Sequence, residues 1–449
     1  MASLEQLPSS LIDTIIIPVK LFRFIGQEFF DDDKARFKNY CKFTIFVLLS
    51  FIFSSGFTLF FIKINETDAG ILEIANAIPC FLLVIQSLLK LSLLRKKHRI
   101  RCVVYEIAEL WPREIENREK KKIMDYWIHR NKIVCEAYFK CTRVGLIIYN
   151  SINLVIYFVL RTLDKNPDYV FPCQLYYPFE MDSVWKYVAV YLMQILATTT
   201  IYECSYESCD MFLFTLTVDV SMLFRLLQHD LVNINVDRGQ GADESLENLK
   251  NIVKRHHKLL KLAEDLDEIF GAIMFNVLIF SSLIICFFGF LGIAIEVKFQ
   301  QCMYLTAAIV VLFSVFYIML PGQILSDTSS GVASAAYQTL WYNSDQRFRK
   351  IIVIIMSRSQ KPCKLRAMGY ADVNLETFYK VGIVIARCRV NAGTVAQRKQ
   401  WLSRPNIVIH CTYLRVRITI ARPIEFVRLL NVSAVLVGYI IASLMLELG

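Results

Sequence analysis

The sequence is poor in charge and in turn-forming residues, and it lacks the motifs of the common enzyme classes. Of its 449 residues, 20% are charged, and only 16 are glycine and 11 are proline. It contains no GxSxG, no GxxxxGK[ST] phosphate loop, no HExxH and no GxGxxG. The residues that would position a nucleophile, a phosphate, a catalytic zinc ion or a dinucleotide are therefore missing. We expect no enzymatic activity and no cofactor.

Cysteine is present, but not in a metal-binding arrangement. The thirteen cysteines include no CxxC pair and no Cys/His spacing that fits zinc, which argues against a metal site. Most are expected to be small apolar packing residues. Cys173 and Cys302 fall in predicted outer loops, where a disulfide would be stable, and free thiols are the alternative.

What the chain does have is hydrophobic sequence. Apolar residues make up 55% of it, and its mean hydropathy of +0.43 is higher than a soluble globular domain tolerates. The amino terminus lacks the basic start and long apolar core of a secretory signal, so we expect no cleavage. Long uncharged runs occur along most of the chain, which indicates a membrane protein.

These runs predict an all-α, polytopic membrane protein with a seven-transmembrane helical bundle. A helix needs roughly 20 apolar residues to cross the hydrocarbon core of a bilayer. Runs of about this length occur at 43–62, 74–89, 144–160, the first half of 184–227, 270–293, 303–325 and 426–446. The second half of 184–227 carries several carboxylates, so we expect it to continue as a cytoplasmic helix.

The distribution of Lys and Arg orients the bundle. Fourteen basic residues lie in 95–143, against two in 161–183. Because basic loops stay on the cytoplasmic side, the amino terminus is predicted inside and the carboxyl terminus outside. Asn65, in an Asn-Glu-Thr glycosylation acceptor, then falls in an outer loop. This orientation is the reverse of that of a G-protein-coupled receptor.

Two helical faces in the predicted outer half of the bundle are candidates for an apolar ligand pocket. Pockets between helices are mostly apolar, with a few polar groups that orient the ligand. Ordinary packing between helices with polar contacts explains the same spacing equally well. The candidate residues recur at intervals of three and four: Asn150, Asn153, Leu154 and Tyr157 in the third span, and Tyr191, Gln194, Ile195 and Thr198 in the fourth.

Three carboxylates also share one helical face. Glu203, Glu207 and Asp210 are spaced by four and three residues. Charges at lipid depth are costly and are usually functional, so an ion or polar-ligand pathway is one interpretation. The favoured interpretation is a solvated face on a helix that has already left the bilayer.

A further amphipathic segment follows the sixth span on the predicted cytoplasmic side. Apolar residues that recur at helical intervals give it one hydrophobic face, and Pro362 ends it. A helix resting on anionic headgroups is one interpretation, and a surface for subunit assembly is the other. The residues proposed for assembly are Tyr337, Trp341, Phe348, Ile352 and Ile355.

Three stretches together resemble the insect odorant receptor family. They are YYPFEMDSVWKYVAVYLMQIL at 176–196, GQILSDTSSGVASAAYQTLWYNSDQRFRKIIVIIMSRSQKP at 322–362 and NLETFYKV at 374–381. The resemblance implies a ligand-gated nonselective cation channel in the plasma membrane of olfactory neuron dendrites. It also implies a ligand site in the outer half of the bundle and a heterotetramer with an odorant receptor co-receptor. A metabotropic chemoreceptor and a small-molecule transporter remain alternatives.

The resemblance divides the chain into three regions. Residues 1–325 are predicted to form the transmembrane ligand-binding bundle, and 326–381 the cytoplasmic helical anchor for assembly. Residues 382–449 are atypical, since a basic stretch precedes the final span at 426–446. This departure leaves open whether the last helix lines a pore.

Glycosylation scanning tests the predicted orientation. An acceptor inserted in 161–183 should be modified, and the same acceptor inserted in 326–380 should not, because only the first segment is predicted to face the lumen. The readout is a mobility shift that a glycosidase removes. Modification of the 326–380 acceptor alone would contradict an internal amino terminus.

Overall fold

The chain is almost entirely helical in a computed structural model, which describes residues 7–30, 36–64, 71–91, 96–113, 117–163, 169–236, 242–295 and 298–383. Ten α-helices have defined bounds within these ranges, and residues 375–383 are helical as well. Their bounds are α1 Ser9–Phe24, α2 Arg36–Ile64, α3 Ile71–Lys90, α4 Lys97–Leu110, α5 Arg118–Thr162, α6 Val184–Ile201, α7 Ser208–Val232, α8 Ala242–Ala294, α9 Lys298–Gln338 and α10 Gln346–Ser359.

The apolar runs at 43–62, 74–89, 144–160, 270–293 and 303–325 lie in α2, α3, α5, α8 and α9, and 184–201 forms α6. Four of these helices, α2, α5, α8 and α9, are long and apolar enough to cross a membrane, and α3 supplies a shorter apolar helix. The all-α helical bundle predicted from the sequence is confirmed for the described residues. The run at 426–446 and the acceptor Asn65 lie outside them.

One long helical element occupies the centre of the bundle. α6 passes through a π-helical turn, Tyr202–Glu207, directly into α7. At 1.5 Å per residue, the segment from 184 to 232 is about 70 Å long, more than twice the hydrocarbon thickness of a bilayer. Every residue from Ser208 to Phe224 is buried, because α1, α5, α8 and α9 pack around α7.

The segment after α9 folds back onto the bundle. Asp345 caps α10 by accepting a hydrogen bond from the backbone N–H of Phe348 at 2.8 Å, and this bond, with that from Arg347, lowers the pKa of Asp345. Beyond α10, β1 (Arg366–Ala367) and β2 (Ala371–Asp372) form a short antiparallel hairpin. Gly322 of α9 lies against the carbonyl of Val373, and the backbones approach so closely that no larger residue fits.

A buried ion pair links α3 to α7. The Lys90 ammonium nitrogen lies 2.7 Å from each carboxylate oxygen of Asp210. The nitrogen is also 3.2 Å from the centre of the Tyr206 ring, and the Tyr138 hydroxyl donates to Asp210 at 3.4 Å. Both charged side chains are fully enclosed, with 0% and 1% of their surface exposed. Each charge is therefore compensated by its partner and not by water.

Replacing one member of this pair should be far more damaging than replacing both. Lys90→Met leaves a carboxylate buried without its cation, which typically costs about 3–5 kcal/mol. Lys90→Met combined with Asp210→Leu removes both charges and should restore much of the folded protein. The measurement is the melting temperature and the monodisperse fraction of the detergent-solubilised protein.

The exposed pair Lys140–Glu136 supplies the matched control, since 72% of the Lys140 side chain is accessible. Lys140→Met should melt as the wild type does, because solvent screens such pairs. A Lys90→Met protein that also melts like the wild type would show that the buried pair contributes nothing to stability.

Candidate functional site

An apolar cavity of about 90 Å³ lies between six helices, enclosed by side chains that are buried or partly buried. Aliphatic and aromatic side chains dominate its wall, and a few hydroxyl, thiol and amide groups interrupt them. The lining residues are Phe53 of α2; Cys80, Leu83, Val84 and Ser87 of α3; Thr142, Gly145, Leu146, Tyr149 and Asn150 of α5; Cys173; Thr198 and Ile201 of α6; Tyr202; Phe288 of α8; and Ala307, Val310 and Val311 of α9.

Glycine at position 145 lets α5 approach α9 at the cavity wall. A Cβ atom at this position would lie 2.6 Å from Cγ2 of Val310, which is closer than carbon atoms pack. Any larger residue would push the two helices apart or displace Val310. Gly145 therefore contributes to the width of the cavity through the spacing of its walls.

The loop between α5 and α6 covers one end of the cavity, and Gln194 holds it there. The Gln194 side chain accepts a hydrogen bond from the backbone N–H of Cys173 at 3.2 Å and donates to the Cys173 carbonyl at 3.1 Å. It also donates to the Tyr177 hydroxyl at 2.6 Å. The Tyr149 hydroxyl adds a bond to the Pro172 carbonyl at 3.2 Å. These bonds fix the loop backbone over the cavity.

Three of the eight predicted ligand residues lie at the cavity wall or hold its loop, and a second group of five does not line the cavity. Asn150 and Thr198 both line the cavity and are joined by a hydrogen bond of 3.2 Å. Gln194 lies behind the wall and positions the loop. The other five do not line the cavity, and they are Asn153, Leu154, Tyr157, Tyr191 and Ile195.

Most of that second group belongs to an aromatic cluster beside the cavity. Tyr157, Tyr187 and Tyr191 form its core, and Tyr157 and Tyr187 have ring centres 4.8 Å apart. Leu154 and Ile195 pack against it. The Tyr191 hydroxyl donates to the Asn150 carbonyl at 2.6 Å, so this cluster joins α5 to α6 and supports the cavity wall from outside.

Sequence reasoning missed the contributions of α2, α3, α8 and α9. Neither their spacing nor their composition shows which helices become neighbours in the bundle. One available signal was the apolar face of α3, where Cys80, Val84 and Ser87 recur at intervals of four and three. A helical face whose side chains are smaller and slightly more polar than their neighbours is typical of a pocket wall between helices.

The favoured interpretation of the three carboxylates is wrong. Glu203, Glu207 and Asp210 are only 7%, 0% and 1% exposed, so they do not form a solvated face. Glu203 receives two hydrogen bonds of 2.7 Å from the Arg143 guanidinium group, and Asp210 pairs with Lys90. Packing of α7 at the centre of the bundle buries this face.

A bond between Cys173 and Cys302 is also excluded by the structure. Both are free thiols; Cys173 is buried, in hydrogen-bonding contact with Cys80, whereas Cys302 is exposed.

The five residues proposed for assembly have different surroundings. Tyr337 is 70% exposed, and Trp341 is partly buried. Phe348, Ile352 and Ile355 are buried inside the chain, at 2%, 0% and 3% exposure, on the side of α10 that packs on α9. The apolar side chains that α10 leaves accessible are Val353 and Ile354, at 50% and 66%.

A larger cleft of about 490 Å³ lies between α5, α7 and α9. Its lining includes Lys122, Arg225 and Asp327, and it is open to the surface. Water solvates such a wall, so an apolar ligand gains less there than in the enclosed cavity. The enclosed cavity is the better candidate for a small apolar molecule.

The chain is similar over most of its length to insect chemosensory receptors. A family model described as 7tm Odorant receptor matches residues 70–384. Odorant receptor 67a of Drosophila melanogaster is 26% identical over 375 residues, which cover 81% of this chain and 91% of that protein. Odorant receptor 49a of the same species is 22% identical over 374 residues, or 82% and 93% of the two chains.

A solved structure has the same fold. The insect olfactory receptor OR5 from Machilis hrabei, in complex with eugenol, superposes with a TM-score of 0.69 at 15% identity. The superposition covers 86% of this chain and 97% of that one. Because the family model spans well over half of the sequence and the fold agrees, this chain belongs to the 7tm odorant receptor family of insects.

Proposed function

We propose that this chain is the odour-binding subunit of a ligand-gated nonselective cation channel in the plasma membrane of olfactory neuron dendrites. It binds small volatile apolar molecules in the cavity between α2, α3, α5, α6, α8 and α9. It conducts in a heterotetramer with an odorant receptor co-receptor. The enclosed apolar cavity, found in a member of an odorant receptor family, is the observation that carries this proposal.

Apolar ligands suit this cavity because its wall offers mostly carbon surface. Removing apolar surface from water stabilises a complex by about 25 cal/mol per Å². The few polar groups in the wall orient the ligand. Asn150 and Thr198 are proposed as direct ligand contacts, with Gln194, Tyr191, Tyr157, Asn153, Leu154 and Ile195 in supporting positions.

Ligand occupancy is proposed to act on the pore through the π-helical turn. Tyr202 lines the cavity, and its ring stacks on that of Tyr206 with centres 4.8 Å apart. Tyr206 in turn covers the Lys90 ammonium group, which is paired with Asp210 at the start of α7. A ligand shifts the closed–open equilibrium only by its differential affinity for the two states. A ligand that contacts Tyr202 is proposed to bind the two states with different affinities, because Tyr202 lies where α6 continues into α7.

Voltage clamp of cells that co-express this chain with an insect odorant co-receptor tests the function. A panel of small volatiles should evoke inward currents within milliseconds that persist without G-protein nucleotides. Ala307→Trp should abolish these currents, because the indole fills the cavity. Ile309→Trp on the same helix should leave them intact, since Ile309 is 65% exposed and does not line the cavity.

The alternatives predict different outcomes. Currents that disappear when G proteins are blocked would indicate a metabotropic receptor. Uptake of a labelled compound without conductance would indicate a transporter. Equal sensitivity of the Ala307→Trp and Ile309→Trp variants would place the ligand elsewhere on the receptor.

Assembly is proposed to use the outward side of the segment from Tyr337 to Pro362. Tyr337, Leu340, Tyr342, Val353 and Ile354 are all at least 50% exposed, an unusual density of large apolar side chains on a water-facing surface. Trp341 lies beside them. Phe348, Ile352 and Ile355 would then support the surface from within by holding α10 on α9.

Two paired substitutions separate these roles. Val353→Asp with Ile354→Asp should reduce co-purification with the co-receptor at least tenfold while the chain itself remains folded. Ile352→Asp with Ile355→Asp should instead lower the amount of folded chain, because it buries charge between α9 and α10. Size-exclusion chromatography after detergent extraction measures both effects. If complexes with Val353→Asp and Ile354→Asp remain intact, this result would favour a helix that rests on the membrane surface.

A further inference from the structure

A buried amide oxygen in the cavity wall has no hydrogen-bond partner. The side-chain oxygen Oδ1 of Asn150 is buried and makes no hydrogen bond within the described part of the chain, and Asn150 as a whole is 2% exposed. The nitrogen of the same amide donates to Oγ1 of Thr198 at 3.2 Å. A buried acceptor left unpaired costs free energy that a ligand with a suitable donor recovers.

The orientation of this amide follows from its neighbour. The Thr198 hydroxyl gives its proton to the Gln194 carbonyl at 2.8 Å, with the Ile195 carbonyl at 3.1 Å as the alternative acceptor. The hydroxyl can therefore only accept from Asn150, and only the NH₂ end of the amide donates. The NH₂ group must face Thr198, which leaves the oxygen as the free end.

The other hydroxyl groups of the wall have little donor capacity left. Ser87, Thr142 and Tyr149 each donate to a backbone carbonyl, at 2.8, 2.8 and 3.2 Å. The Tyr202 hydroxyl, which has no partner in the described chain, can either donate or accept a hydrogen bond. The wall is thus richer in acceptors than in donors, which is unusual for a site meant for carbonyl compounds.

We propose that this cavity selects small neutral molecules that carry a hydroxyl group, in which the ligand O–H donates to Oδ1 of Asn150. This inference rests on the proposed function and specifies its ligand class. Charged donors such as ammonium groups are disfavoured, because the wall offers no carboxylate to compensate them. At about 90 Å³, the cavity is smaller than an apolar cavity of about 150 Å³ known to bind benzene. Short-chain alcohols that are smaller than benzene therefore fit best.

Three probes of nearly equal size separate the hydrogen-bonding possibilities. Butan-2-ol donates and accepts, butanone only accepts, and 2-methylbutane does neither. One hydrogen bond to a buried acceptor corresponds to roughly a tenfold preference. Wild-type complexes under voltage clamp should respond to butan-2-ol at about tenfold lower concentration than to butanone. For each compound, the ratio of the effective concentrations of variant and wild type is compared, because partitioning of the compound into lipid cancels in this ratio.

Asn150→Leu removes the acceptor at nearly constant volume. It should raise the effective concentration of butan-2-ol about tenfold and leave that of 2-methylbutane unchanged. Asn276→Leu is the matched control, since it makes the same change in α8 at a partly buried residue that does not line the cavity. This control should preserve the preference for the alcohol.

Thr198→Val tests the orientation argument independently and keeps Asn150 in place. Without the Thr198 acceptor the amide is free to turn its NH₂ group toward the ligand. The response to butanone should then approach that to butan-2-ol. An unchanged preference in both Asn150→Leu and Thr198→Val would overturn the proposal.

Ligand-induced thermal shifts of the purified chain keep this inference separate from channel function. Butan-2-ol should raise the melting temperature of the wild type more than the other two probes do, and this difference should vanish in Asn150→Leu. Such a result without currents would support the alcohol site and contradict the channel. Currents and shifts that do not distinguish the three probes would support the receptor and overturn the alcohol site.

Discussion

The architecture depends on enclosing a lysine and an aspartate where water cannot reach them. A charge moved into a low-dielectric interior loses several kcal/mol of solvation, so it is tolerated only with a well-placed counter-charge. Lys90 and Asp210 meet this condition through two short contacts, and aromatic rings close the remaining sides. The ion pair therefore fixes the position of α3 relative to α7. The helices that pack on α3 and α7 are positioned by it in turn.

The cavity lies directly beside that fixed point. Ser87 lines it and stands three residues, about 4.5 Å of helix, before Lys90. Tyr202 lines it as well and stacks on the ring that covers the ammonium group. One end of the site thus rests on a rigid electrostatic contact, while the other is covered by a loop that hydrogen bonds with Gln194 and Tyr149 hold in place. Such an arrangement joins a stable base to a cover that depends on a few hydrogen bonds.

Sequence patterns predicted the helices well and their neighbours poorly. Apolar runs placed six helices, because backbone in lipid must satisfy its own hydrogen bonds and the required length is known. Helical spacing brought Asn150 and Thr198 onto facing sides of α5 and α6. Phe53 and Val310 had no comparable signal, since contacts between distant segments depend on how side chains interlock. The burial of Asp210 was missed for the same reason, as its partner lies 120 residues earlier in the chain.

The π-helical turn at Tyr202–Glu207 imposes a constraint on length as well as on residue identity. It accommodates one more residue than an α-helical turn, so the faces of α6 and α7 are in phase only while that residue is present. Losing it would rotate one half of the element by about 100° relative to the other. The cavity-facing residues of α6 and the lysine-facing residue of α7 would no longer share their present alignment. Deleting a single residue here would therefore break the alignment between these two regions without changing any side chain in either of them.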